Sequence, residues 1–186
     1  MKRPFFIVCT LLVCLASSAQ DKVQSVSLEL LGAHTGAGIN YDTRFKGNSG
    51  LGYRVGIGYS YSVNDYFFGD EKIKGIGVPI ELNYLLGKKN HKLEVGVGTS
   101  LGVYHRKEEA HYYFSPTPEY PDGLAEDYFN EETLFGYFLF GDIGYRYQRP
   151  HGFVFRSGFS PSLNFGDKYG LNKDKFYPYI GLGWSF

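Results

Sequence analysis

Nine charged residues, Glu29, Asp42, Arg44, Arg54, Glu81, Glu94, Asp142, Arg146 and Arg156, fall at alternate positions of segments whose intervening residues are largely apolar. Guanidiniums and carboxylates collected on one face have two chemical uses. They line a polar passage, or they neutralise one another as a salt-bridged plug. Paired charges can satisfy one another where an unpaired buried ion is far costlier, so the plug is the expected use. A second acidic group lies near 106–132, where Glu108, Glu109, Glu119, Asp122, Glu126, Asp127, Glu131 and Glu132 interleave with Tyr112, Tyr113, Tyr120 and Tyr128. Such carboxylates could hold Ca²⁺ and such tyrosines a partner or glycan. The spacing is not that of an EF-hand, so a solvated acidic loop is expected there.

The remaining chemistry candidates are sparse. His34, His91, His105, His111 and His151 are scattered, with no HExxH pattern to recommend zinc. A hydrolase or acyltransferase would need a nucleophile beside a base, such as Ser100 or Ser115 with His105 or His111, and sequence spacing alone does not assemble that set. Gly36-Ala-Gly38 lacks the strand-loop-helix context of a phosphate loop. No catalytic residue, cofactor or metal is expected.

The elements that position these residues are strands. Period-two alternation marks eight of them, at about 23–33, 36–45, 50–62, 74–87, 91–106, 133–148, 152–165 and 175–186. Residues 23–45 cannot be one strand. Val26, Leu28 and Leu30 are apolar at even positions, whereas Ile39, Tyr41 and Phe45 are apolar at odd ones. Side chains of an unbroken strand keep their faces, so a tight turn or bulge must lie within Gly32–Gly38. The links near 46–49, 87–90 and 148–152 are short, and those near 63–73, 107–132 and 166–174 are longer. This alternation suits an up-and-down barrel with short turns at one end; the first link, around His34 to Gly36, is the exception. Pro79, Pro161 and Pro178 interrupt strands and are expected near the extracellular rim, where a lost ladder bond is tolerated.

Composition agrees with a β-rich chain. It holds 17 Tyr, 16 Phe and 25 Gly in 186 residues, with 19 basic and 19 acidic side chains. No basic stripe points to nucleic acid. At the start, Lys2-Arg3, an apolar run from Phe5 to Leu15 and the small residues Ser17-Ser18-Ala19 have the order of a secretory signal peptide. Residues 1–19 are therefore expected to be an export signal and 20–186 a single domain. Cys9 and Cys14 both lie in that leader, so no disulfide or thiol chemistry is expected of the mature protein.

Alternation does not say which face is inside. A soluble lipocalin-like carrier would put the charges in water and the apolar set around a ligand. Glycines crowd the charged face, as at Gly52, Gly56, Gly58, Gly96, Gly98, Gly102, Gly144 and Gly158, which suits a narrow interior. Aromatic residues on the apolar face gather toward the strand ends, as Phe45, Tyr53, Tyr84, Tyr145, Phe153 and Trp184 at one end and Tyr59, Tyr61, Phe135 and Phe176 at the other. That pattern reads as two interfacial girdles. The expectation is an all-β, eight-stranded antiparallel up-and-down transmembrane β-barrel.

Over about 23–186 the chain resembles small outer-membrane β-barrels of the OmpX and OmpA transmembrane type, in its signal peptide, eight alternating strands, short turns and terminal Trp184-Ser185-Phe186. The resemblance implies a cell outer membrane location and a monomer surrounded by outer-membrane lipid and lipopolysaccharide. It also implies that Trp184 and Phe186 serve as the signal read by the outer-membrane insertion machinery. Members include adhesion and resistance factors, anchors and a few lipid-modifying enzymes, so the fold does not fix the activity. The expected function is a structural anchor with a plugged, non-conducting lumen and outer loops for surface interaction. A lipid A-modifying enzyme and a soluble periplasmic carrier are the alternatives.

Overall fold

The computed structural model of the protein describes residues 22–66, 69–114, 124–163 and 176–186. Eight strands pair with sequence neighbours and close on themselves: β1 (Gln24–Leu31), β2 (Ala37–Arg44), β3 (Gly50–Tyr66), β4 (Gly69–Leu86), β5 (His91–Phe114), β6 (Leu124–Gln148), β7 (Gly152–Leu163) and β8 (Phe176–Ser185). Every pairing is antiparallel, including the closing pair of β1 with β8, where Val26 faces Trp184 and Leu28 faces Leu182. Phe186 and Gln24 complete that seam by exchanging backbone hydrogen bonds of 2.9 and 3.1 Å.

The parity break between β1 and β2 is a 3₁₀ turn, η1 (Gly32–His34). Leu31, Gly32 and Thr35 all have φ near +60°, so the chain reverses through backbone that only glycine adopts readily. Rather than projecting outward, η1 folds into the barrel and buries Ala33 and His34 at 1% exposure each.

The middle strands are longer than alternation suggests. β3 and β4 continue to the pair Tyr66 and Gly69, and β5 and β6 pair as far as Phe114 with Leu124. Much of the expected links 63–73 and 107–132 is therefore a protruding ladder. Between β5 and β6 two cross-strand pairs carry opposite charges, Lys107 against Glu131 and Arg106 against Glu132, a pairing that stabilises strands without an apolar rhythm; between β4 and β5 Glu71 faces Glu108 and Lys72 faces Lys107. Because β4 begins at Gly69, Pro79 lies mid-strand rather than near the rim. There the β3–β4 ladder stops at Val55–Ile80 and resumes at Gly58–Gly77 in the same register, the gap expected of a residue without an amide hydrogen. The leader 1–19, Ser115, Glu119, Tyr120, Asp122 and the link 166–174 lie outside the described residues.

Candidate functional site: the charged barrel interior

All nine charged residues sit inside the barrel, each no more than 3% exposed. Alternation forces this, because within each strand they share a face that the closed sheet turns inward. They form one connected network.

Arg54, on β3, is its centre. Its guanidinium binds Asp142 of β6 at 2.6 Å, Glu29 of β1 at 3.3 Å, and Glu81 of β4. Arg156 of β7 reaches Glu29 at 2.5 Å, Glu94 at 2.8 Å and Asp142 at 3.2 Å, and its guanidinium lies over the Tyr179 ring, 5.1 Å from the centroid. Nearer the β2–β3 turn, Asp42 takes Arg44 at 2.7 Å and Arg146 at 2.9 Å, while Glu94 takes Arg146 at 3.2 Å. Glu81, Glu94 and Asp142 bring carboxylate oxygens within 4.8 Å of one another. Arg54, Arg146 and Arg156 all bind members of that trio.

Two further members, one neutral and one charged, are absent from the set of nine. Asn83 accepts a hydrogen bond from Arg44 at 2.5 Å and donates to Asp42 and Glu94 at 2.8 and 2.9 Å, joining the two halves of the network. Lys92 closes the floor, donating to the side chain of Asn48 at 2.6 Å and to its backbone carbonyl. The parity of Asn83 and Lys92 would have revealed both, since they share faces with Glu81 and Glu94.

Above the charges lies a different layer. The His34 ring donates from Nε2 to the Asn40 side-chain oxygen at 2.9 Å, and the His34 carbonyl accepts from Ser60 at 2.7 Å. Gly38, Gly56 and Gly58 leave the volume that this ring fills. Ala33, Ile73, Tyr104, Phe138 and Phe140 pack as an apolar cluster at the same end. Gly102 is needed for it, because a Cβ there would come within 2.6 Å of the Tyr104 ring. No spacing in the sequence pointed to His34 as a lumen residue.

Farther out, Arg106 binds Glu71 at 2.6 Å, Glu132 at 3.4 Å, and Glu108. Burial alone would push its guanidinium down, but Glu71, Glu108 and Glu132 outweigh this and hold it above its ordinary value. On the other face of the same hairpin, Lys107 lies 3.1 Å from Glu109 and 3.5 Å from Glu131. The hydrogen bond and charge of Glu109 raise its ammonium. The acidic segment is thus partly an ion-paired ladder.

The outer wall is the converse of the interior. Val97 is 67% exposed, Leu28 63%, Trp184 61% and Ile76 58%. Apolar outside and charged inside, the wall is inverted relative to a soluble barrel. Among the described residues the interior is charged, not the apolar lumen a lipocalin-like carrier requires. Nor do the described residues assemble an enzyme's Ser/His set: Ser100 is buried inside, whereas His105 stands on the opposite face of β5, beside Thr133 at 3.3 Å. The side chain of His111 lies outside the described residues.

No protein-family model and no curated protein matches the chain. Among solved structures it is similar to the N-terminal β-barrel domain of Pseudomonas aeruginosa OprF, with 14% identity over 90% of this chain and 98% of that one and a TM-score of 0.48. It is also similar to Ail, the attachment invasion locus protein of Yersinia pestis, determined in complex with the heparin analogue sucrose octasulfate. There the identity is 15% over 90% of this chain and 100% of that one, with a TM-score of 0.38.

Proposed function

We propose that the protein is an outer-membrane barrel that anchors the protruding β5–β6 hairpin at the cell surface and whose lumen does not conduct. The observation that carries this reading is the inverted wall. Large apolar side chains left in water would aggregate, and charges buried without a network would be prohibitive. A bilayer around the outside and ion pairs on the inside remove both costs. No helix among the described residues is long and apolar enough to cross a membrane, so the crossing falls to the strands, whose closed ladder satisfies the backbone in lipid.

Band height supports the same reading. From Ile76 to Leu86 the outer face of β4 is apolar for ten residue steps. At about 3.3 Å per residue and a tilt of about 40°, that rises about 25 Å, the height of the apolar band in such barrels. The stacked layers of the interior favour a closed lumen, because eight strands leave room for little beyond side chains. The leader 1–19 supplies the export route, and Trp184 and Phe186 supply the apolar edge that insertion machinery would grip before β8 pairs with β1.

The test is topological and electrical. An epitope placed between β5 and β6 is expected to be detected on intact cells, and one in the 87–90 turn only after the envelope is permeabilised. Purified barrel in planar bilayers is expected to show no stable conductance steps. Detection of both epitopes only after cell lysis would overturn the location, and reproducible channels would overturn the plug.

A further inference from the structure

The outward side chains of β4 change character abruptly past Ile76. The next two are Lys74 and Lys72, both exposed. By the same rise and tilt, Lys74 stands about 5 Å above the apolar band and Lys72 about 5 Å higher, which is the depth of lipid headgroups. Their flanks on β3 are Tyr61 and Val63, and their partners on β5 are His105 and Lys107. The described carboxylates on this face, Glu109 and Glu131, are engaged by Lys107, and Glu131 also by His105 at 3.9 Å; Asp65 and Asp70, which face each other on the same side of β3 and β4, have side chains outside the described residues. Neither Lys72 nor Lys74 has an ion-pair partner among the described residues.

Resting on the reading of the wall as membrane-embedded and deepening it, we infer that Lys72 and Lys74 bind the phosphate of an anionic lipid in the outer headgroup layer. Two ammonium groups on adjacent outward positions of one strand converge on one headgroup from the barrel side. Apolar residues directly beneath, Ile76 and Val103, are 58% and 56% exposed and supply the surface along which the acyl chains lie. The bland alternative is that both lysines extend to water, their stems covering apolar surface, with no preference among lipids.

Native mass spectrometry of the barrel released from phosphatidylcholine bilayers doped with phosphatidic acid separates the two. Each lysine near an anionic surface is worth about fivefold in binding, so wild-type protein should retain phosphatidic acid about 25-fold above its bulk fraction. Lys72→Gln/Lys74→Gln should fall to the bulk fraction, and Lys72→Arg/Lys74→Arg should keep the enrichment. Heat modifiability shows that each variant is folded. Equal retention by wild type and the glutamine variant would overturn the inference while leaving the barrel in the membrane. Failure of the wild-type protein to enter bilayers at all would overturn the proposed function and the inference with it.

Discussion

Arg54 on β3 and Asp142 on β6, 88 positions apart in the chain, meet across the barrel interior at 2.6 Å. The same guanidinium serves Glu29 and Glu81, so it ties four strands together. Removing one partner of a buried ion pair costs about 3–5 kcal/mol, because the other charges stay buried without compensation. Arg54→Ala is expected to destabilise the folded barrel by that amount in urea titrations. Arg54→Lys should restore only part of it, since an ammonium cannot present a fork to three carboxylates.

Gly58 tests whether the inward turn η1 is packed as described. A Cβ at Gly58 would collide with the His34 ring and come within 2.6 Å of the Ala37 carbonyl, whereas one at Gly141 meets nothing nearer than 3.5 Å. Gly58→Ala should therefore cost about 1–3 kcal/mol by overpacking. Gly141→Ala should be close to neutral. Thermal unfolding of the two variants in the same detergent gives the comparison.

The hairpin ion pairs are exposed, so their effect should be small. Glu131→Lys puts an ammonium directly opposite Lys107, in the same cross-strand row as Lys72, and like charges across strands are unfavourable by about 0.2–1 kcal/mol. Hydrogen exchange at the amides of Arg106 and Lys107 should quicken, with no change in the β1–β8 seam.

Deletion of Phe186 bears on assembly. If the terminal aromatic is gripped during insertion, cells should accumulate a protease-sensitive periplasmic species and little heat-modifiable barrel. Normal surface amounts with a slightly lower melting temperature would assign Phe186, 52% exposed at the end of the seam, to packing alone.

Period two made the barrel legible because every wall strand has one apolar face and one polar face. It separated Glu81 and Glu94 from Ile80 and Val97 without any knowledge of the sheet, and the glycines crowding the charged face indicated which set lies inside. Two features escaped it. The protruding ladder of β5 and β6 is polar on both faces, so residues such as Lys107 and Glu131 alternate nothing. The fold of η1 into the lumen depends on a cavity left by Gly38, Gly56 and Gly58, which lie on two strands. That complementarity has no local sequence signature. Asn83 was readable in principle from its parity and was obscured only because charge, not polarity, defined the set.

The central claim is that the wall is inverted and faces lipid, and spin labels at single cysteines test it most directly. The chain has no cysteine besides Cys9 and Cys14, both within the expected leader, so labels at Lys92, Leu93, Val95, Val97 and Thr99, and at Asn83 and Leu82, can be introduced singly in bilayer-reconstituted protein. Collision with oxygen, which concentrates in lipid, is predicted to be high at Leu82, Leu93, Val95, Val97 and Thr99 and low at Asn83 and Lys92, with collision by a water-soluble nickel complex low at Val97. High nickel accessibility at Val97 with oxygen accessibility no greater than at Asn83 would contradict the account.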